Sequence, residues 1–299
     1  MWSSPELCDI LWPEEWFGRG RTLLISIAVL AVLKRYLGRR KQQKLRLEWD
    51  SVGKDVVLLH QFWRGKYCPN LSPFALKVET FLRLNNIKYV VDDKSPMSVK
   101  HHKCPWITLN GEDICDSEFI IEHLRNYFSI DLDKKLDEQK KATLETARLA
   151  ADEYLFWCVI TWRYYQDRCV TFMKSQTFSR FWSTAFPLFM PRGIKHKAGQ
   201  QGMGLYSNEE VYQICKKTCK TFSSFLGEQP FFGGDEPCTA DCAIFGQLAQ
   251  LMWNAPGSRY EALITDVFPN LGQYCLRMKL KVYPNWNQLL NPPLPSTEE

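Results

Sequence analysis

The sequence has no Cys-x-x-Cys pair, and its eleven cysteines are scattered over 299 residues in an odd number. This pattern argues against a disulfide-stapled secreted domain and favours reduced thiols in a cytosolic setting. Cysteines four residues apart occur at 215/219 and 238/242, but no histidine stands beside them. His101 and His102 come close before Cys104, yet adjacent histidines seldom converge on one ion. We therefore predict no metal site.

Acidic residues are missing from 16–47, and basic residues are missing from 1–15. The range 16–47 has nine Lys and Arg, whereas the chain from residue 48 onward has 29 basic and 29 acidic residues. The net charge of +5 therefore arises entirely from the N-terminal region. This confinement argues against nucleic acid as a partner and favours binding of residues 16–47 to anionic lipid headgroups. The alternative is that these charges only set membrane topology.

An apolar run from Thr22 to Leu33 lies inside this basic region. Twelve helical residues cover roughly 18 Å of the about 30 Å of hydrocarbon in a bilayer, but apolar and aromatic flanks extend the run and Lys and Arg can snorkel. No small-x-small cleavage site follows it, which argues against a cleaved signal peptide. We therefore predict an N-terminal tail at 1–21, a single-pass membrane anchor at 22–37 and a basic linker at 38–54.

Seven of the nine basic residues follow the apolar run, whereas residues 1–15 carry four acidic residues and no Lys or Arg, so the folded domain is expected in the cytosol. A moderately apolar segment with basic flanks suits the mitochondrial outer membrane and other cytosol-facing membranes equally. Spanning the bilayer and lying on it both remain open.

Residues 56–63 (VVLLHQFW) form a short apolar run that is typical of a buried strand. The following loop ends at Ser72-Pro73, which is a helix N-cap followed by a preferred first residue, and the apolar spacing predicts a helix to about Leu84. A hydroxyl at the positive end of a helix can stabilise a thiolate. The simpler interpretation is that Ser72 only caps the helix.

Three more strands are predicted at 88–92, 106–109 and 114–116, the last two joined by a turn at Asn110-Gly111. Before the first strand of this hairpin comes Cys104-Pro105, a common position for a cis peptide bond that leaves the backbone of Cys104 open to an extended peptide. After the hairpin, Asp116-Ser117 begins another helix and can hold an α-carboxylate and an amine. Together with Ser72, these features outline a glutathione pocket.

The order of these elements resembles the thioredoxin-like domain of the glutathione transferase superfamily. The segment FFGGDEP at 231–237, the helix DCAIFGQL at 241–248 and FPNL at 268–271 resemble its helical C-terminal domain. The spacing in GKYCPNLSPF (65–74) is most similar to the failed axon connections family and its cadmium-responsive and metaxin-like relatives. We expect an α/β thioredoxin-like domain at 55–130, an all-α transferase domain at 136–287 and a disordered tail at 288–299.

The resemblance implies glutathione as a ligand or substrate and a transferase-like homodimer. It also implies that helices between residues 136 and 174 line an electrophile pocket, with Trp157 and Tyr164 as candidate contacts. The alternative is that these aromatic residues are core. Residues 186–207, rich in Gly, Pro, Lys and Gln, are expected to form a long loop.

Cys68 is a second candidate nucleophile, because a thiol near a helix start has a lowered pKa and can form a mixed disulfide. Ser72 matches the activating position of the superfamily better, and residue 71 is a leucine, so the two-thiol redox motif is absent.

One departure from the superfamily concerns Asp241. Family members have Ser or Thr three residues before it, forming a reciprocal helix cap, whereas this chain has Cys238. We expect Thr239 to take over the cap, and Asp241→Ala to cost on the order of 1 kcal/mol.

Two functions are open at this stage. The first is a membrane-anchored, non-catalytic adaptor, in axon development as the family name implies. The second is a glutathione-dependent transferase or thiol reductase acting on small electrophiles or in metal and stress detoxification. Fold resemblance alone does not decide between them.

Overall fold

The computed structural model describes residues 14–177 and 180–293, and it divides the chain into one unit at 1–53 and another at 54–299. The first unit is described as a single helix, α1 (Glu14–Asp50), which runs unbroken through the predicted anchor and most of the predicted linker. Residues 1–13 of the predicted tail lie outside the described residues. Among the described helices, none combines the length and the apolar character needed to cross a membrane. The predicted single-pass anchor at 22–37 is not supported by this finding.

The second unit begins with a four-stranded mixed sheet in the order β2-β1-β3-β4. Its strands are β1 (Val57–His60), β2 (Tyr89–Asp92), β3 (Trp106–Leu109) and β4 (Glu112–Cys115). β1 pairs parallel with β2 and antiparallel with β3, which forms a hairpin with β4. The parallel pair requires a crossover, and α2 (Pro73–Leu84) supplies it. Asn110 and Gly111 at the hairpin turn both have positive φ, as a tight two-residue turn requires.

α2 and α3 (Ser117–Phe128) pack on one face of this sheet. Alternate strand residues face them, since side chains in a strand point to opposite faces. The shared apolar core contains Val57, Leu59, Val78, Phe81, Leu82, Ile107, Leu109, Ile120, Ile121 and Leu124. On the opposite face, the fully buried His60 stacks on Trp106 with ring centroids 3.5 Å apart, and its Nδ1 lies 2.7 Å from Asp92 Oδ2. The expected thioredoxin-like domain is therefore present.

The remainder of the second unit is helical. A long element starts with α4 (Glu138–Leu149) and continues through π-helical turns on either side of α5 (Phe156–Ile160) to Gln166. The later helices are α6 (Val170–Ser175), α7 (Arg180–Gln201), α8 (Asn208–Leu226), α9 (Thr239–Met252), α10 (Arg259–Ala262) and α11 (Pro269–Val282), followed by a 3₁₀ turn at Trp286–Leu289. The largest apolar core of the protein lies among these helices.

α9 lies at the centre of that core and packs against α2. Gly246 marks the crossing, because a Cβ atom there would lie 2.5 Å from the carbonyl oxygen of Pro73. The close approach brings the first turn of α2, which carries Ser72 at its N-cap, directly onto the helical domain. The helical domain therefore fixes the position of this turn.

Asp241 forms the cap at the start of α9 together with Cys238, and not with Thr239 as expected. Its buried carboxylate accepts hydrogen bonds from the backbone N–H groups of Phe232, Gly233 and Cys238 at 2.9–3.1 Å, and the Cys238 thiol donates a fourth at 3.2 Å. Cys238 is the N-cap, and Thr239 is already the first helical residue. The predicted shift of the cap to Thr239 is therefore wrong, because the Cys238 thiol replaces the usual hydroxyl.

The long loop expected at 186–207 is instead mostly α7, despite Pro187 and Pro191 inside the helix. Phe186, Met190 and Ile194 recur at four-residue spacing and pack against Tyr164 and Phe172. Burial of this stripe outweighs the low helix propensity of proline and glycine, on which the loop prediction was based.

The tail predicted to be disordered from residue 288 begins inside the folded unit. Leu290 is 4 % exposed, and the backbone N–H of Asn291 donates to the carbonyl of Gly65 at 2.9 Å. Residues 294–299 lie outside the described residues.

Candidate functional site

Ser72 stands at the N-cap of α2 and is 8 % exposed. Its Oγ accepts a hydrogen bond from the backbone N–H of Ala75 at 3.3 Å, and its own N–H donates to Asn70 Oδ1 at 2.8 Å. In the described residues no acceptor takes the hydroxyl proton of Ser72. Ser72 is therefore a helix cap whose proton is still available to a ligand.

The loop before Ser72 is held by buried polar side chains of the helical domain. The carbonyl of Asn70 accepts from Gln250 Nε2 and from Asn254 Nδ2, both at 3.2 Å. Arg163, fully buried, donates to the carbonyl of Gln250 at 3.2 Å and lies 3.5 Å from that of Leu71. Within the described parts of the chain, no carboxylate lies at ion-pair distance from Arg163. A buried positive charge therefore lies behind the Ser72 loop.

Cys68 does not have the environment of a nucleophile. It is fully buried in the core of the helical domain, beside Leu76. This burial raises the pKa of its thiol to about 12, and the backbone N–H of Asn70 and the charge of Arg163 compensate only in part. A thiol with this pKa is protonated at neutral pH and reacts slowly. Of the two candidate nucleophiles, only Ser72 has a proton that no acceptor among the described residues takes.

Cys104-Pro105 contains a cis peptide bond directly before β3. Among the described residues, the backbone N–H and carbonyl of Cys104 have no hydrogen-bond partner, so both can pair with an extended peptide. The Cys104 thiol itself is largely buried, and burial raises its pKa to about 12. The backbone of Cys104, rather than its sulfur, is the feature available for recognition.

Asp116 has φ 79° and is the N-cap of α3, with its Oδ1 accepting from the backbone N–H of Glu118 at 3.1 Å. Its Oδ2 lies 2.6 Å from the ammonium of Lys103. Partial burial alone would raise the pKa of Asp116, but the hydrogen bond from Lys103 and the Glu118 N–H lower it below its ordinary value. Ser117 beside it is 7 % exposed. The carboxylate expected to receive a ligand amine is therefore already paired with Lys103.

Of the two aromatic residues expected at an electrophile pocket, Tyr164 lies in the core and Trp157 lies at its edge. Tyr164 is 6 % exposed and packs edge-to-face on Phe172, with centroids 5.0 Å apart, beneath Phe186 of α7. Trp157 is partly buried and packs against the apolar core of the helical domain. Burial explains both positions without a ligand.

Sequence reasoning missed a buried ionic network beside the site. Lys77 Nζ lies 2.7 Å from Glu118 Oε2 and 2.7 Å from Asp152 Oδ2, and Arg148 contacts both carboxylates at 3.1 Å. Lys77 is 1 % exposed. Spacing along the chain gave no signal for these pairs, because Lys77 and Asp152 are 75 residues apart.

Two cavities of about 240 and 630 Å³ lie along α3 and share Glu118 and Arg125 in their walls. Neither is lined by Ser72, Cys104, Pro105 or Asp116. Every cysteine that the structure describes is a free thiol, and the described residues contain no cluster of three or more His, Cys, Asp or Glu placed to hold a metal ion.

These features define a glutathione transferase fold, and comparisons with known proteins agree. Residues 73–169 match the family model of the glutathione S-transferase N-terminal domain, and residues 215–278 match that of the C-terminal domain. The solved structure of a glutathione transferase family member from Pseudomonas fluorescens, with two glutathione bound, covers 79 % of this chain and 96 % of its own at a TM-score of 0.51 and 13 % identity. That likeness concerns the fold alone.

The sequence comparison is more specific. Failed axon connections from Drosophila melanogaster is 32 % identical over 277 residues, which are 86 % of this chain. The match spans 66 % of the length of that relative. Metaxin-2 from Mus musculus is 21 % identical over 229 residues, covering 72 % of this chain and 83 % of the mouse protein. The chain belongs to the failed axon connections family, in the metaxin-like branch of the glutathione transferase superfamily.

Proposed function

We propose that this protein is a transferase-derived adaptor, which uses the surface of a conserved fold to assemble partners at a cytosol-facing membrane. In this proposal it conjugates no electrophile. Its biological setting is axon development, as the name of the Drosophila relative suggests. A homodimer of the transferase type belongs to the same proposal, and sedimentation of the purified chain tests it.

The pairing of Lys103 with Asp116 is the observation that carries the proposal. A thiol tripeptide such as glutathione needs a carboxylate for its α-amino group, and here an ammonium of the protein lies 2.6 Å from that carboxylate. Lys103 is 57 % exposed, so it can move away, but a ligand must displace it. The buried, protonated Cys68 provides no substitute nucleophile.

Membrane association is assigned to the basic N-terminal region. Nine Lys and Arg with no acidic residue between 16 and 47 favour contact with anionic headgroups. The described apolar side chains of α1 around Leu30, Val32 and Leu33 are 48–69 % exposed. These exposed side chains would contact the bilayer beside the basic residues in this proposal. The mitochondrial outer membrane and other cytosol-facing membranes are equal candidates for this role.

Glutathione binding, with or without turnover, is the second candidate function. It is favoured by the free proton of Ser72 and the unpaired backbone of Cys104. The buried guanidinium of Arg163 behind the loop would stabilise a thiolate bound at Ser72. The Pseudomonas protein, which has the same fold, has glutathione bound in its structure.

One experiment separates the two functions. Glutathione binding to the full chain is measured by calorimetry, and conjugation of a chlorinated dinitrobenzene is followed at saturating glutathione. The adaptor proposal expects weak or undetectable binding and no rate above that of a buffer blank.

Lys103→Gln frees Asp116, and it is expected to tighten any glutathione binding by roughly two- to fivefold, in keeping with an exposed ion pair. Lys134→Gln is the matched control, because Lys134 is also exposed and no carboxylate among the described residues lies at ion-pair distance from it. A conjugation rate that falls in Ser72→Ala would overturn the adaptor proposal and establish a transferase.

A further inference from the structure

The region 168–208 has a charge composition unlike the rest of the folded unit. It contains six Lys and Arg and no Asp or Glu, although the chain from residue 48 onward is balanced overall. α7 occupies most of this region. A positive charge concentrated on one helix attracts an anionic partner.

The two faces of α7 differ in burial. Phe186, Met190 and Ile194 pack inward on Tyr164 and Phe172. Outward, Phe181 is 71 % exposed, Leu188 57 % and Phe189 73 %. Large apolar side chains exposed side by side in this way mark a contact surface rather than ordinary scatter.

Arg192 and Lys195, four and seven residues after Leu188, lie on the same side of the helix as that residue. Arg192, Lys195 and Lys197 are all exposed, and no carboxylate among the described residues lies at ion-pair distance from any of them. Arg192 donates to the carbonyl of Leu188 within the helix, and Lys195 lies over the ring of Tyr165 at 5.3 Å. The charges of Arg192 and Lys195 are therefore unneutralised beside the exposed apolar side chains.

We infer that the exposed face of α7, made by Phe181, Leu188, Phe189, Arg192 and Lys195, docks on an anionic lipid surface. Aromatic and aliphatic side chains enter the boundary between headgroups and acyl chains, while Lys and Arg reach the phosphates. An acidic peptide would neutralise the charges but leave these large apolar side chains in water. This surface belongs to the folded unit, and the inference does not depend on α1 or on the state of the glutathione pocket.

Photo-cross-linking on the full chain tests the inference. Benzoylphenylalanine replaces Phe189, and the protein is mixed with phosphatidylcholine vesicles containing about one-third phosphatidylserine. Leu280 on α11 is the matched control position, since it is also 73 % exposed and stands between two lysines. A probe at Leu33 of α1 reports separately on membrane contact by the N-terminal helix.

The expected result is lipid cross-linking from position 189 at least about tenfold above that from position 280, lost on vesicles of phosphatidylcholine alone. The double variant Arg192→Glu/Lys195→Glu lowers the yield at 189 to the level of 280, with a thermal melt that shows it is folded. A yield at 189 no greater than at 280, whether or not position 33 cross-links, overturns the inference. A cross-link from 189 to a second copy of the chain overturns it too, in favour of self-association.

Discussion

The ammonium of Lys77 lies 2.7 Å from Asp152 Oδ2 and joins the thioredoxin-like domain to the helical domain at a point where neither side chain is more than 8 % exposed. Either charge alone is costly in the interior, so the contact between the two domains is expected to depend on both side chains.

Removal of Lys77 leaves the buried Asp152 carboxylate with Arg148, 3.1 Å away, as its remaining cationic partner among the described residues. Because compensation is then partial, we expect Lys77→Met to lower the free energy of unfolding by about 1–3 kcal/mol, less than for a wholly unpaired buried charge. The double variant Lys77→Met/Asp152→Leu should lose less than the sum of the two single variants, because the two charges are removed together. Urea denaturation measures all four proteins, and strictly additive losses would contradict the coupling.

The buried carboxylate of Glu79 is expected to contribute to the acid sensitivity of the fold. This carboxylate accepts from both guanidinium nitrogens of Arg64 at 2.7 and 2.8 Å and from Tyr89 Oη at 2.8 Å. Burial alone would raise the pKa of Glu79, but Arg64 and Arg83 lower it below its ordinary value of 4.5. A lowered pKa means that this stabilisation is complete above about pH 4.5 and is lost as the pH falls through the folded-state pKa.

Glu79→Gln should therefore be less stable at pH 7, by about 3–5 kcal/mol, and should lose less further stability on acidification. Thermal melts from pH 7 to pH 3 show this as a shallower slope. Glu122→Gln on the surface of α3 is the control, and equal slopes for parent and Glu79→Gln would refute the assignment.

Asp241→Ala removes the acceptor of three backbone N–H groups and of the Cys238 thiol. A buried donor left without a partner costs up to about 1–3 kcal/mol. We therefore expect Asp241→Ala to lower the free energy of unfolding by roughly 3 kcal/mol. Loss of a simple helix cap would lower it by only about 1 kcal/mol. The free energy of unfolding of Asp241→Asn, which keeps one acceptor oxygen, should lie between those of the parent and Asp241→Ala. A loss near 1 kcal/mol for the alanine variant would restore the simpler interpretation.

Gly246→Ala places a methyl group 2.5 Å from the carbonyl oxygen of Pro73, and a backbone atom cannot turn aside as a side chain does. We expect a destabilisation of about 1–3 kcal/mol. Gly193→Ala is the control, because a Cβ atom there meets nothing within 4 Å and alanine favours helix. Chemical denaturation of both variants decides whether the contact between α9 and α2 is as close as described.

Cys68 should resist alkylation in the folded protein. Its burial and a pKa of about 12 leave almost no thiolate at pH 8. Mass spectrometry after brief iodoacetamide treatment should find Cys68 unmodified and the partly exposed Cys115 modified, with both modified after unfolding in urea. If Cys68 were modified as fast as Cys115, Cys68 would be a reactive thiol and this prediction would be wrong.

Helix starts and turns that are marked by particular residues could be predicted from the sequence. Ser72-Pro73 marked the start of α2, Asn110-Gly111 marked the hairpin turn, and Asp116 marked the start of α3, because caps and turns need particular side chains at particular positions. Each of these features depends on contacts within a few residues, so the order of elements in the thioredoxin-like domain followed from them.

Contacts between residues far apart in the chain could not be predicted from the sequence. Lys103 meets Asp116, and Arg163 meets the Ser72 loop, only because the fold brings them together. α7 was missed for a related reason, since Pro187 and Pro191 argue locally against a helix that burial of Phe186 and Met190 stabilises. The partners of the candidate site therefore depend on tertiary structure that composition does not encode.

Gln250 and Asn254 of α9 hold the carbonyl of Asn70, nearly two hundred residues earlier in the chain. The loop that presents Ser72 is thus completed by the far end of the polypeptide. A truncated product that stops before α9 would keep the strands of the sheet but lose the donors that shape this loop. Fusion proteins or shortened transcripts that carry the thioredoxin-like half alone should therefore not inherit the geometry that the whole chain gives to the Ser72 loop.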